Sequence, residues 1–122
     1  MEFIKKDEIT VLQNKGIESH QLIFPENSSS ERVTITRVIV QPGGRNEMHK
    51  HDHSEQTWVA LNGRGELLLG NNETKPFEKG DVARFADGDI HGLHNTSDGI
   101  FEYLAVTAPP INFRYAYTGE KK

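Results

Sequence analysis

Cysteine is absent from the 122 residues. That removes disulfide frameworks, thiolate zinc sites, iron–sulfur clusters and cysteine nucleophiles together. Any metal bound here must be held by nitrogen and oxygen. A basic excess is missing too, since 14 Lys and Arg stand against 18 Asp and Glu for a formal charge of -4. Nucleic acid is therefore not expected as the main partner. No apolar run approaches the length of a bilayer span, so no membrane partner is expected either. The segment Met1 to Asp7 lacks the apolar core of a secretory signal, and the expected location is the cytoplasm. Helical periodicity is the last absence: no segment sustains it beyond about two turns.

What remains is a chain of short strands and turns. Arg32 to Gln41 is the clearest strand, rich in β-branched residues that suit a half- or fully buried strand and not a helix. Further strands are expected over Glu8 to Gln13, Glu18 to Phe24, Thr57 to Leu61, Glu66 to Leu69, Lys75 to Glu78, Val82 to Ala86, Ile90 to Asn95 and Ile100 to Ala108. Pro25 to Glu31 reads as an ordinary surface loop. Pro109-Pro110 should end the last long strand, because proline cannot donate to a ladder. Asn112 to Thr118 then alternates Phe113, Tyr115 and Tyr117 with other residues, as an edge strand would. Turn signals every eight to twelve residues imply an all-β sandwich or barrel. At this length a single domain, 1–122, is expected, with a core large enough to need no staples.

The densest chemistry lies in His49-Lys50-His51-Asp52-His53-Ser54-Glu55-Gln56. In an extended segment, His49, His51 and His53 would share a face. Imidazoles converging on one face bind divalent metals such as zinc, iron, nickel or copper.

Two stretches together resemble the cupin superfamily. Gly43 is followed after five residues by His49-Lys50-His51, then Glu55 or Gln56, then Gly63. Downstream, Gly80, Gly88, His91 and Asn95 fall at the spacings of the second cupin motif, with Ala86 where proline is usual. The resemblance covers roughly Val33 to Thr107 and implies a double-stranded β-helix, or jelly-roll barrel. It also implies His49, His51 and His91 as ligands of a divalent metal (iron, nickel, manganese or zinc), completed by Gln56 or Glu55. Counting back from Gly63 favours Gln56, whereas ligand charge favours Glu55. The spacing argument is preferred here, and Gln56 is the expected ligand. The two choices turn opposite faces of the next strand inward. The glycines are expected to make turns, Asn95 to satisfy backbone groups and His94 to face outward. His20 is expected to be structural or solvent-facing. His53 is expected at the pocket rim, and Trp58, Phe85, Phe101 and Tyr103 in the pocket wall.

Three functions follow from the resemblance. One is a metal-dependent enzyme acting on a small molecule, of oxygenase or isomerase type. The second is a metal-free isomerase or epimerase of keto-sugar nucleotides, with histidines as acid and base. The third is a non-catalytic module that binds a small ligand. A homodimer is expected, since the aromatic tail would leave a strand edge to cover.

Overall fold

The computed structural model describes residues 1–121. Its strands are β1 (Thr10–Asn14), β2 (Ile17–Ile23), β3 (Thr34–Val40), β4 (Arg45–His49), β5 (Glu55–Asn62) and β6 (Arg64–Leu69). They continue with β7 (Thr74–Glu78), β8 (Val82–Phe85), β9 (His91–His94), β10 (Phe101–Ala108) and β11 (Gly119–Lys121). Seven form one sheet in the order β11-β1-β2-β3-β10-β5-β8, and four form a second in the order β4-β9-β6-β7. All pairings are antiparallel. This is the expected all-β jelly roll. Turns at Gly63, Gly80 and Gly88 carry φ of 80, 96 and 83°, a region cheap only for glycine.

Strand alternation divides the space between the sheets into two ends. Ile17, Val40, Ala60, Leu67, Phe77, Leu93 and Phe101 fill one end and form the apolar core. The other end is polar and equally buried: Ser19 and Gln21 from β2, Thr34 and Thr36 from β3, Gln56 from β5 and Thr107 from β10. Burying a polar side chain without a partner costs a few kcal/mol, about 1–3. A buried polar end therefore marks a place where the fold gives up stability for another purpose.

A bulge in β4 shapes that end. Asn46 pairs with Leu93 of β9, yet His49 pairs with His91, so one extra residue lies between them. The bulge lets Asn46 and His49, three apart, both face inward, which regular alternation forbids. Gly92 makes room for it: a methyl group there would lie 2.7 Å from the Asn46 carbonyl oxygen and 3.0 Å from the Met48 nitrogen. β4 ends at His49, so His51 and His53 lie in coil, contrary to the extended reading of the histidine run. His51 turns inward and is buried, whereas His53 is exposed.

The tail also departs from expectation. Phe113–Ala116 is a 3-10 turn, not an edge strand, and only Gly119–Lys121 pairs with β1. The Asn112 side chain accepts a hydrogen bond from the Arg114 N–H, a cap that competes with extended structure. Arg114 then binds Glu26 of the 25–31 loop and Glu120 at 2.7 Å each. These contacts fold the tail back over the polar end of the barrel.

Candidate metal centre

His49, His51 and His91 bring one ring nitrogen each within 4.8 Å of one another. Their rings stand 4.4 to 5.4 Å apart, centre to centre. Second partners orient two of the rings. The Nδ1 of His49 lies 2.7 Å from the Glu47 carbonyl oxygen, and the Nδ1 of His91 lies 2.8 Å from that of Asp89. A carbonyl only accepts, so each Nδ1 carries the proton and each Nε2 presents a lone pair. The Nε2 of His51 is buried and has no hydrogen-bond partner.

Gln56 supplies a fourth group. Trp58 Nε1, which can only donate, bonds to Gln56 Oε1 at 2.8 Å, and Gln56 Nε2 donates to Thr107 Oγ1 at 2.7 Å. Those two partners set the orientation of the amide. Its oxygen then lies 3.0 Å from His91 Nε2. With Nδ1 carrying the His91 proton, two acceptors face each other. Two ligand atoms held at right angles, each ~2.1 Å from a metal, are ~3.0 Å apart. The residues present therefore fit a cation: the Nε2 lone pairs of His49 and His91, the unpartnered Nε2 of His51 and an amide oxygen converge.

Burial tunes the imidazoles for that task. The pKa of His51 is pushed down to about 4 by burial, helped by neighbouring His49. Burial pushes His91 down to about 4 as well, against the raising effect of its bond to Asp89. Both rings are neutral, as ligands must be, well below neutral pH. Phe85 stacks on His91 at 4.2 Å and Trp58 meets it edge-on at 5.4 Å, so an aromatic wall sits behind the ligand.

Glu55 points the other way, onto the outer face of the sheet, where Arg84 binds it at 2.9 Å. Gln56, Trp58 and Ala60 face inward on β5. His49, His51 and Gln56 open into a chamber of about 270 Å³ lined by Ser19, Asn46, Met48, Tyr103, Phe113 and Tyr117 among others, with His91 set behind them. Of the expected wall residues, Tyr103 alone lines it. Trp58 and Phe85 lie behind the ligands, and Phe101 packs on Phe77 at the apolar end. His53 stays outside. Asn95 donates to the carbonyls of Val40 and Gly99, and His20 meets Glu18 at 3.3 Å, both away from the chamber. Asn46 and the tail aromatics were missed from sequence. The bulge that turns Asn46 inward has no local signature. The tail did carry one, the Asn112-x-Arg114 cap before a charged anchor.

The family model for the cupin domain matches residues 36–107. An oxalate-binding protein of Thermotoga maritima is 28% identical over 90 residues, 74% of each chain. The solved structure of a predicted oxalate decarboxylase from Thermotoga maritima matches with TM-score 0.75 at 24% identity, covering 88% of this chain and 98% of that one. Ectoine synthase from P. lautus matches with TM-score 0.79 at 16% identity, covering 99% of this chain and 88% of the other. At such identities the two structures speak for the fold alone. The family match spans β3 through β10, the strands that carry every residue of the histidine cluster or bracket it, and the chain belongs to the cupin family.

Proposed function

We propose that this protein binds one divalent cation through His49, His51, Gln56 and His91 and acts on a small, oxygen-rich molecule by Lewis-acid chemistry of the isomerase type. The observation that carries this reading is the convergence of three ring nitrogens and an amide oxygen, one of them the orphaned Nε2 of His51. When bound, the metal would polarise a carbonyl or stabilise an enol oxygen. Three imidazoles and an amide bring no negative charge, so the full charge of the cation is left for the ligand. Iron oxygenase sites commonly include a carboxylate. Its absence from this set favours non-redox chemistry over dioxygen activation. The chain's own part is to hold the ligand atoms through Glu47, Asp89, Trp58 and Thr107, and to exclude water with Met48 and Phe113. A small carboxylate fits the likeness to the oxalate-binding relative.

Metal-free acid–base chemistry fits less well. A general base works best with a pKa near the operating pH, and His51 and His91 sit at about 4. The Asp89 carbonyl and carboxylate act to raise His91 and Asp52 acts to raise His51, yet burial outweighs them. The binding-only reading is favoured by one observation, the name of that same relative.

Metal analysis of protein purified without a histidine tag tests the proposal. About one equivalent of iron, nickel, manganese or zinc is expected, and calorimetric binding of oxalate to the loaded form. No metal after supplementation with all four would sink it. Oxalate binding without turnover of any keto or enol acid would reduce it to the binding module.

The expected homodimer now rests on a different surface, because the tail folds back on its own barrel. Across β3, β10, β5 and β8 the outer face aligns Ile35 with Val106, and Leu104 with Val59 and Val82. Val82 is 65% exposed and Leu61 beside it 37%. A second copy packed face to face would cover this stripe. Sedimentation at micromolar concentration should give twice 13.8 kDa, and a monomer alone would exclude the dimer.

A further inference from the structure

We propose that Tyr103 and Tyr117 are a ligand-positioning pair: two phenol donors that hold the acceptor-rich far end of a small carboxylate or keto acid whose near end meets the histidine cluster. The near end rests on the metal reading above, and the far end does not.

Both phenols line the chamber. By register, Ser19, Val38 and Tyr103 form one row across β2, β3 and β10. Tyr117 reaches the same row from the tail, with its oxygen beside the Ser19 hydroxyl. The acceptor side of each phenol is already used. Asn46 Nδ2 donates to the Tyr103 oxygen at 2.9 Å. Ser19 Oγ receives a hydrogen bond from Gln21 Nε2 at 2.8 Å, which leaves its own proton for the Tyr117 oxygen. Each phenol proton is then free to point into the chamber. Burial raises both tyrosines above their ordinary range, so both stay protonated. A phenol that receives a hydrogen bond also donates a stronger one.

The rest of the wall supports an acceptor-rich ligand. Glu47 is the one carboxylate among the described lining residues, and it is exposed at the rim and held by Arg45 at 3.1 Å. The Asn14 side chain is occupied by the Ala116 carbonyl and by Thr118. What the chamber presents is therefore neutral donors, the Tyr103 and Tyr117 phenols inward and the exposed Tyr115 phenol at the rim, facing the histidine cluster. Donors of this kind select carbonyl or carboxylate oxygens and leave an ammonium group unsatisfied. The volume, 270 Å³, is roughly that of nine waters and suits an acid of about five carbons.

The probes are 2-oxoglutarate and 1,5-diaminopentane, titrated calorimetrically into metal-supplemented wild type, Tyr103→Phe and Tyr117→Phe. Wild type should bind 2-oxoglutarate and not the diamine. Each variant should lose on the order of tenfold in affinity, the worth of one hydrogen bond to a charged group, with unchanged metal content. If Tyr103→Phe fails to fold, Tyr117→Phe carries the test alone, since Tyr117 is only partly buried and packs at the margin of the core. A near-ultraviolet difference spectrum on adding 2-oxoglutarate gives a second readout, taken with and without metal. A tyrosine signal that disappears in Tyr117→Phe supports the pair even where no metal binds, which would sink the metal reading alone. Affinities within twofold of wild type in the variants, with metal retained, would overturn the pair. So would diamine binding as tight as that of 2-oxoglutarate.

Discussion

Gln56→Ala should lower metal affinity by ~100-fold or more, while Glu55→Ala leaves it within a few fold. Loss of a group that merely orients a ligand already costs 10–100-fold, and Gln56 presents a donor atom itself. Its oxygen lies 3.0 Å from His91 Nε2 and also receives the Trp58 N–H. Alanine would leave that buried N–H and the Thr107 hydroxyl unpartnered, at a cost of ~1–3 kcal/mol each in stability. Glu55 by contrast makes an exposed pair with Arg84. Such pairs are worth ~0–1 kcal/mol. Gln56→Glu should tighten the metal, because a carboxylate offsets part of the cation's charge where an amide does not. Competition with a chromogenic chelator measures all three. If Glu55→Ala strips the metal and Gln56→Ala keeps it, the assignment of the fourth ligand is wrong.

The metal-free protein should lose stability steadily as pH falls from ~6.5 toward about 4. In the unfolded chain an imidazole takes its proton near pH ~6.5. In the folded chain burial delays protonation of His51 and His91 to about 4. Above pH ~6.5 neither state is protonated there, and the full stability is present. Below it the unfolded state binds more protons, so stability drops by up to ~1.4 kcal/mol per pH unit for each histidine until the folded pKa is reached. Urea midpoints taken across this range, with His51→Gln as control, read the effect. The variant should show a shallower slope. A wild-type profile that is flat over the same window would mean the two rings are not held neutral. The reference value alone predicts metal release below about pH 6. For His51 and His91 the folded environment moves proton competition down to about 4.

Much of this architecture is legible in the sequence, because it is written locally. Gly63, Gly80 and Gly88 sit at turns that only glycine fills cheaply, and they space the strands. Gly80, Gly88, His91 and Asn95 keep fixed offsets because short strands and tight turns, β8 and β9 with the turns around them, separate them along the chain. What could not be read depends on contacts between distant segments. The face presented by β5 is decided by Thr107 and Trp58 inside against Arg84 outside, and both candidate faces carried plausible core residues. The inward turn of Asn46 needs Gly92, 46 positions later, to admit the bulge. The tail reads as a strand by alternation. Arg114 overrides that through Glu26, which lies in a loop with no apparent role until the two meet.

The clamp formed by Arg114 on Glu26 and Glu120 has a consequence for how this binding site is assembled. The histidines and Gln56 belong to the barrel and fall inside residues 36–107, whereas Phe113 and Tyr117 reach the chamber from a segment beyond it. The histidine cluster and part of the chamber wall thus lie on separable pieces of chain, with Tyr103 on the barrel side and Tyr117 on the tail. The tail is held to the rest by surface ion pairs, by Asn14, by one three-residue strand and by Tyr117 packed against the core. An engineer could exchange residues 111–118 to reshape the chamber while the histidine cluster of the barrel stays in place. The same division is open to natural variation, since changes in the tail leave the four donor atoms where they are.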